Sequence, residues 1–246
     1  MSLAAPVAPA HELIASFARN RVALGALLVL GVIVLAVIFA SVISPQNPYN
    51  LAELDILDGK LAPGARSVEG HIYWLGTDEQ GRDMFSAILY GLRISLTVGV
   101  ISTVVALTLG MLIGLAAGYA GGWVDALIMR IVDIQLSFPS ILIALVLLAV
   151  LGQGVDKIII ALVSVQWAYY ARTVRSSALV EKRREYVDAA LCLGYSRWRI
   201  VYRHILPNCL PPLIVVATVQ IAHAIALEAT LSFLGLGMPI TSPSLG

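Results

Sequence analysis

The stretch ISLTVGVISTVVALTLGMLIGLAAG, Ile94 to Gly118, holds 25 residues without one charged side chain. A helix rises ~1.5 Å per residue and crosses a hydrocarbon core of ~30 Å in about 20 residues. This run is therefore long enough to span a bilayer. Four further stretches read as spans: Val22 to Ile43, also uncharged; Ala126 to Val150, with Arg130 and Asp133 in its first third; Ile158 to Val174, shorter and ending in arginines; and Leu210 to Leu236, with Gln220, His223 and Glu228. Composition agrees. Of the 246 residues, 59% are hydrophobic and only 13% charged, too few charges to clothe a soluble domain. The expected fold class is an all-α integral membrane protein, a polytopic helical bundle with five spans.

Orientation follows from the basic residues. Eight of the 16 Lys and Arg lie between Arg172 and Arg203, in the link between the fourth and fifth spans, so this link is expected inside. The segment from Pro45 to Leu92 carries three basic against seven acidic residues and suits the outside. Arg19 and Arg21 put the N-terminus in the cytoplasm, and counting crossings from there gives the same answer. The apolar run after Arg21 is longer than the ~7–15 residues of a cleaved signal, so it reads as a retained helix. The organisation expected is a cytoplasmic segment 1–21, a first span 22–43, and an extracytoplasmic loop 44–93. A core of four spans, 94–237, follows, with a cytoplasmic loop at 175–207. Residues 238–246 read as the start of a loop cut short.

Several chemistries are absent. There is no GxxxxGK[ST], HExxH or GxSxG, and His11, His71, His204 and His223 are scattered. Cys192 and Cys209 have neither disulfide-framework nor zinc spacing. No catalytic residue, metal or cofactor is expected in this chain, and a net charge of +1 does not suggest nucleic acid.

Four segments carry more. Thr77 and Gln80 fit a capping box, followed by Met84, Phe85, Ile88, Leu89 and Leu92 at helical spacing. They predict an amphipathic helix at the outer interface before the second span. Gly110, Gly114 and Gly118 form a small-residue stripe for close helix packing. Arg130 and Asp133, three apart, can pair, and Pro139 should kink or interrupt the third span. In the inside loop, Glu185 to Leu193 predicts a helix stopped by Gly194. Ser196 caps a second short helix, which Pro207 would end. An ordered, basic, partly apolar element there suits a docking surface for a cytosolic partner; a loop that only fixes topology is the plainer alternative. Glu228, ~18 residues and so ~27 Å into the fifth span, is a candidate for the pathway or an outer gate, as are Asp133 and Pro139.

Asp188-Ala189-Ala190, three residues, Gly194, and then Leu206-Pro207 resemble the EAA loop of ABC importer permeases. Asp188 stands where that pattern has Glu, and His204 where it has Ile, with Ile205 one place late. Further stretches are similar to the C-type permease of dipeptide, oligopeptide and nickel importers: Gly76-Thr77-Asp78 with Gly81-Arg82-Asp83, Gly91 to Leu96, Gly121 to Asp133, and Glu228 to Gly237. The resemblance implies the type I ABC importer permease fold, with six spans in complete members, in a bacterial inner membrane. It also implies a coupling helix, with Glu185, Asp188, Ala189, Ala190, Gly194, Leu206 and Pro207 in the coupling loop and small residues at Ala189 and Ala190 for a tight groove. The partners implied are a homologous B-type permease, two cytosolic ATPases that hold ATP and Mg, an extracytoplasmic binding protein, and membrane lipid. Di- and oligopeptides are the first substrate expected, with nickel, glutathione or another small solute as alternatives. A non-transporting scaffold that recruits a cytosolic protein is the competing reading, and an exporter a weaker one.

Overall fold

The computed structural model describes residues 16–50, 54–67, 70, 72–239 and 244. Most of the segment 238–246 therefore lies outside the described residues, as does His11. Helices dominate: α1 (Arg21–Ile38), α2 (Ala40–Ile43), α3 (Met84–Ala120), α4 (Gly122–Ser137), α5 (Ser140–Leu151), α6 (Val155–Glu181), α7 (Glu185–Cys192), α8 (Arg197–Ile200) and α9 (Leu206–Phe233). Among the described residues there is no strand, only two isolated bridges. The chain forms two compact units, residues 1–93 and 94–246, and α3 runs from one into the other.

In the first unit, Asn20 caps α1 by accepting from the Val22 and Ala23 amides at 3.1 Å each. Of the α1 side chains only Val37 is buried, while Val22, Leu28 and Val32 stand exposed. So apolar and bare a helix needs lipid or another protein around it.

The stretch before α3 differs from the sequence expectation. Thr77 caps no helix. Its hydroxyl accepts from the Leu61 amide at 2.8 Å and donates to the Asp58 carbonyl. Asp78 gathers the Gln80 and Arg82 amides and the Arg82 guanidinium into a tight turn. Gly81, at φ +75°, sits so close to the Asp55 carbonyl that no side chain would fit. The helix starts at Met84 instead, with Asp83 accepting from the Ser86 amide at 2.8 Å. It then continues for 37 residues, so the amphipathic residues 84–92 are the first turns of the second span and not a separate helix.

In the second unit α6 is central. It packs on α4, α5 and α9, and its buried side chains run from Ile158 to Ala178. The glycine stripe of α3 lies on it. A β-carbon at Gly110 would overlap the Trp167 carbonyl, one at Gly114 the Ala171 carbonyl, and one at Gly118 would stand 2.9 Å from the Ala178 β-carbon. Residue numbers rise together along this seam, so α3 and α6 run parallel. By contrast Ser95 meets Glu228 and Gly99 meets Ile225, so α9 is antiparallel to α3. Asp125 meets Arg175 and Gln135 meets Ser164, so α4 is antiparallel to α6. Helix direction thus alternates along the chain from α3 through α4 and α6 to α9. One end of the unit gathers Lys182, Tyr119 and the link to α9. At the other end Gln153 donates to the Gly235 carbonyl at 2.7 Å.

Three runs are long and apolar enough to cross a bilayer as they stand: α1, α3, and Arg197–Phe233. The α4–α5 pair, bent by 89° at Phe138-Pro139, counts as a fourth only when its two halves are taken as one span. Pro139 sits at the break. α6, at 27 residues, is long enough for the expected fourth span but carries Gln166, Arg172 and Arg175. Its position among three neighbours tolerates polarity that lipid would not.

Gly114→Val should expose the α3–α6 seam as a stability determinant. Overpacking against fixed backbone costs roughly 1–3 kcal/mol, read as a lowered thermal midpoint in detergent. Gly25→Ala on α1, where nothing lies within 4 Å, should leave that midpoint unchanged or slightly raised.

Candidate functional site

The link between α6 and α9 is built as an ordered platform. α7 opens with Glu185 and Asp188 in its first turn, where carboxylates suit the positive end of the helix dipole. Val187 and Ala190, three apart, turn inward and are buried. They join Ile200, Val201, Ile205 and Cys209 in one cluster with Leu115 of α3 and Tyr170, Val174 and Ala178 of α6. Glu185, Asp188, Ala189, Leu191, Cys192 and Leu193 face outward. This corrects one expectation. Ala190 does not offer its methyl to a partner's groove, because its side of the helix is already packed on the chain's own core. Ala189 is the small residue on the free face.

Gly194 closes α7. Its φ is +73°, its amide bonds the Leu191 carbonyl at 3.0 Å, and the Tyr195 amide bonds the Ala190 carbonyl at 3.1 Å. This pair of bonds is the Schellman stop, which favours glycine. Ser196 then accepts from the Arg199 amide at 3.4 Å and caps α8.

Pro207 does not end that helix. The chain continues from α8 through a π-helical turn, Val201–Ile205, straight into α9. Proline is tolerated in a first helical turn, where an amide hydrogen has no partner to lose. The carbonyl of His204 is served by the Asn208 side chain at 2.7 Å. Leu206 is half-buried against the cluster, and Pro207 is exposed.

The platform is pinned to its neighbours. The Tyr186 hydroxyl donates to Glu181 at the end of α6 and accepts from Asn208 Nδ2 at 3.1 Å at the start of α9. Burial first, and then the hydrogen bond to Glu181, push this phenol up to about 12. Lys182 Nζ reaches the Tyr119 carbonyl at 2.6 Å and lies over its ring.

Asp133 pairs with Arg172 of α6, not with Arg130. Arg130 is exposed, and the cross-helix partner wins over the local one. One turn nearer the platform Arg175 grips Asp125 with two bonds, 2.9 and 2.6 Å. Pro139, six residues beyond Asp133, is exposed at the break.

Glu228 is completely buried within the unit. Ser95 donates to Oε2 at 2.6 Å and Ser232 to Oε1 at 2.9 Å, and among the described residues no cation pairs with it. The core carries another polar contact, Thr103 to Gln166 at 3.3 Å, and among the described residues Gln166 Nε2 has no partner. Sequence reasoning passed over Ser95, Ser232, Arg172, Arg175 and Tyr186. Only Tyr186 offered a signal, as a hydroxyl one residue into a helix that follows Glu181 by a single turn.

Residues 110–246 match the family described as binding-protein-dependent transport system inner membrane component, and residues 9–63 match the N-terminal TM domain of oligopeptide transport permease C. The chain belongs to this family of ABC transporter permeases. It is 44% identical, over its whole length and 81% of the relative, to the dipeptide transport system permease protein of Escherichia coli strain K12. It is 39% identical, over 97% of its length and 78% of the relative, to a di/tripeptide transport system permease protein of Pseudomonas aeruginosa. A glutathione transport system permease protein of Shigella flexneri is 40% identical over 97% of this chain and 76% of the relative. The permease is thus a multi-pass inner-membrane protein of helical architecture.

The permease's Glu228 should bind its serines cooperatively. Ser95→Ala alone should cost about 1–3 kcal/mol, the penalty of leaving a buried polar group without its partner. With Glu228→Leu already present the same change should cost less than half as much. A double-mutant cycle on thermal unfolding in detergent reads the difference.

Proposed function

We infer that this permease forms one half of the translocation pathway of an ATP-driven importer of di- and oligopeptides. The 44% identity to a dipeptide permease along the whole chain carries the reading. Glutathione, itself a peptide, is the second substrate class, favoured by the relative at 40%. The other half of the pathway is a homologous permease, two cytosolic ATPases hold ATP and Mg, and an extracytoplasmic binding protein delivers substrate. The N-terminus and the α7 platform face the cytoplasm.

α7 is the coupling helix. Its free face offers Ala189, Leu191 and Leu193 on the side of the carboxylates Glu185 and Asp188 nearer the helix end, small and apolar residues beside a charged first turn. Closure of the ATPases pushes on this face. The push reaches α6 through Tyr186 and Glu181, α9 through Asn208, and α3 through Lys182 and Tyr119. Three helices then move together, and the pathway tilts between outward and inward access. At the far end of α9, Glu228 joins α9 to α3 and so serves the outer gate from within the helix packing.

Two experiments test this. In the assembled complex Leu193→Asp and Ala189→Trp should each lower the ATPase that co-purifies with the permease by at least tenfold, about 1.4 kcal/mol or more. Uptake of a labelled dipeptide into vesicles should fall with it, while thermal stability is kept. Ala190→Trp should instead lower stability by roughly 1–3 kcal/mol. Full ATPase association and uptake in both surface variants would remove α7 from the coupling role. Orientation is read separately: a reporter active only outside should work after Lys60 and fail after Arg184, and the reverse pattern would invert the topology.

A further inference from the structure

An apolar slot of about 460 Å³ opens at the basic end of the second unit. Leu112, Ala116 and Tyr119 of α3 form one wall, Val124 of α4 the floor, and Trp198 and Arg197 of α8 the other wall. Leu112 and Trp198 are exposed, Trp198 to 73%. A volume in this range holds one elongated small molecule, and its walls ask for an apolar one.

The rim asks for something else. Among the described residues Arg197 has no acidic partner. Lys182 lies over the ring of the wall residue Tyr119, at 5.2 Å from its centre, and so meets an aromatic face rather than a carboxylate. The level also matters. The uncharged part of the 37-residue α3 begins after Arg93, and a ~30 Å core counted from there ends after about 20 residues, near Ile113. Leu112 to Ala120 therefore straddle the boundary between hydrocarbon and headgroups, where Trp and Tyr gather and where basic clefts between helices take acidic headgroups.

We propose that the slot holds one acidic glycerophospholipid, an acyl chain between α3 and α8 and its phosphate on Arg197. The charge of the rim selects the headgroup, and the apolar walls take the chain. Through Trp198 the lipid leans on α8, which is joined to α7 by the Gly194 turn, so the bound lipid braces the platform from its membrane side. The proposal rests on the chain spanning a bilayer and not on the importer reading.

The test uses the assembled permease complex in vesicles of phosphatidylcholine, with phosphatidylglycerol brominated on its acyl chains added stepwise. Trp198 emission is taken as the difference between the native chain and Trp198→Phe. Quenching should saturate at a low fraction of the brominated phosphatidylglycerol. Brominated phosphatidylcholine should quench weakly and in proportion to its amount. Arg197→Gln, an exposed change, should move half-saturation about fivefold higher, as expected for one cation at a membrane surface. Ala116→Phe, which fills the slot from an exposed wall position, should abolish the saturable part. Equal quenching by both lipids, unaltered in Arg197→Gln, would mean boundary lipid only and overturns the proposal. Absence of any quenching beyond the Trp198→Phe baseline would mean that protein covers the slot, and overturns it too.

Discussion

Backbone contact between α3 and α6, along Gly110, Gly114 and Gly118, sets the geometry of the second unit. Inside a bilayer, lipid tails are as apolar as Leu, so apolar burial alone does not hold two helices together. Close packing does, and three missing side chains allow it here. Once α3 and α6 lie parallel and in contact, the chain between them must return across the bundle. α4 and α5 make that return, clamped to α6 by Asp125–Arg175 and Asp133–Arg172. α9 then lies on α6 as well, with Glu228 reaching Ser95 of α3. The ion pairs and the buried carboxylate hold an arrangement that the glycines make possible.

At the basic end the same arrangement yields a rigid platform. Val187 and Ala190 rest on the cluster formed by α3, α6 and α9. The outward face of α7 is left free because its other face is fully used. A surface helix that transmits force needs both properties: an inner face that cannot slide and an outer face that is not already occupied. Tyr186, hydrogen-bonded to elements on either side, removes the slack a long connector would leave.

Much of this was legible in the sequence because the bilayer imposes it. Uncharged runs of about 20 residues have few other uses. Gly194 was legible because a positive φ is a local property of the backbone. The direction of Ala190 was not: an alanine has no preference for a face, and only Val187 three residues before it points inward. The Thr77–Gln80 spacing suggested a cap, but Asp78 and Gly81 bend the segment into a turn that a helix start cannot share. Asp133 chose Arg172 over Arg130, since a partner on the packed neighbour offers a fixed geometry that a residue on the same helix does not. Ser95 and Ser232 carried no signal at all. A serine in an apolar span serves packing as readily as hydrogen bonding, and only the fold puts these two against Glu228. Pro207 misled because proline breaks a helix only where it removes a bond the helix needs.

The π turn at Val201–Ile205 has a consequence at the far end of the same helix. It holds one residue more than an α-helical turn would accommodate. Were it to relax, every residue beyond it would rotate by about 100°, the angle of one α-helical residue. Glu228 would then swing away from Ser95 and into a different neighbourhood. The register that brings Glu228 to Ser95 at one end of α9 therefore depends on the extra residue held in the wide turn at the other.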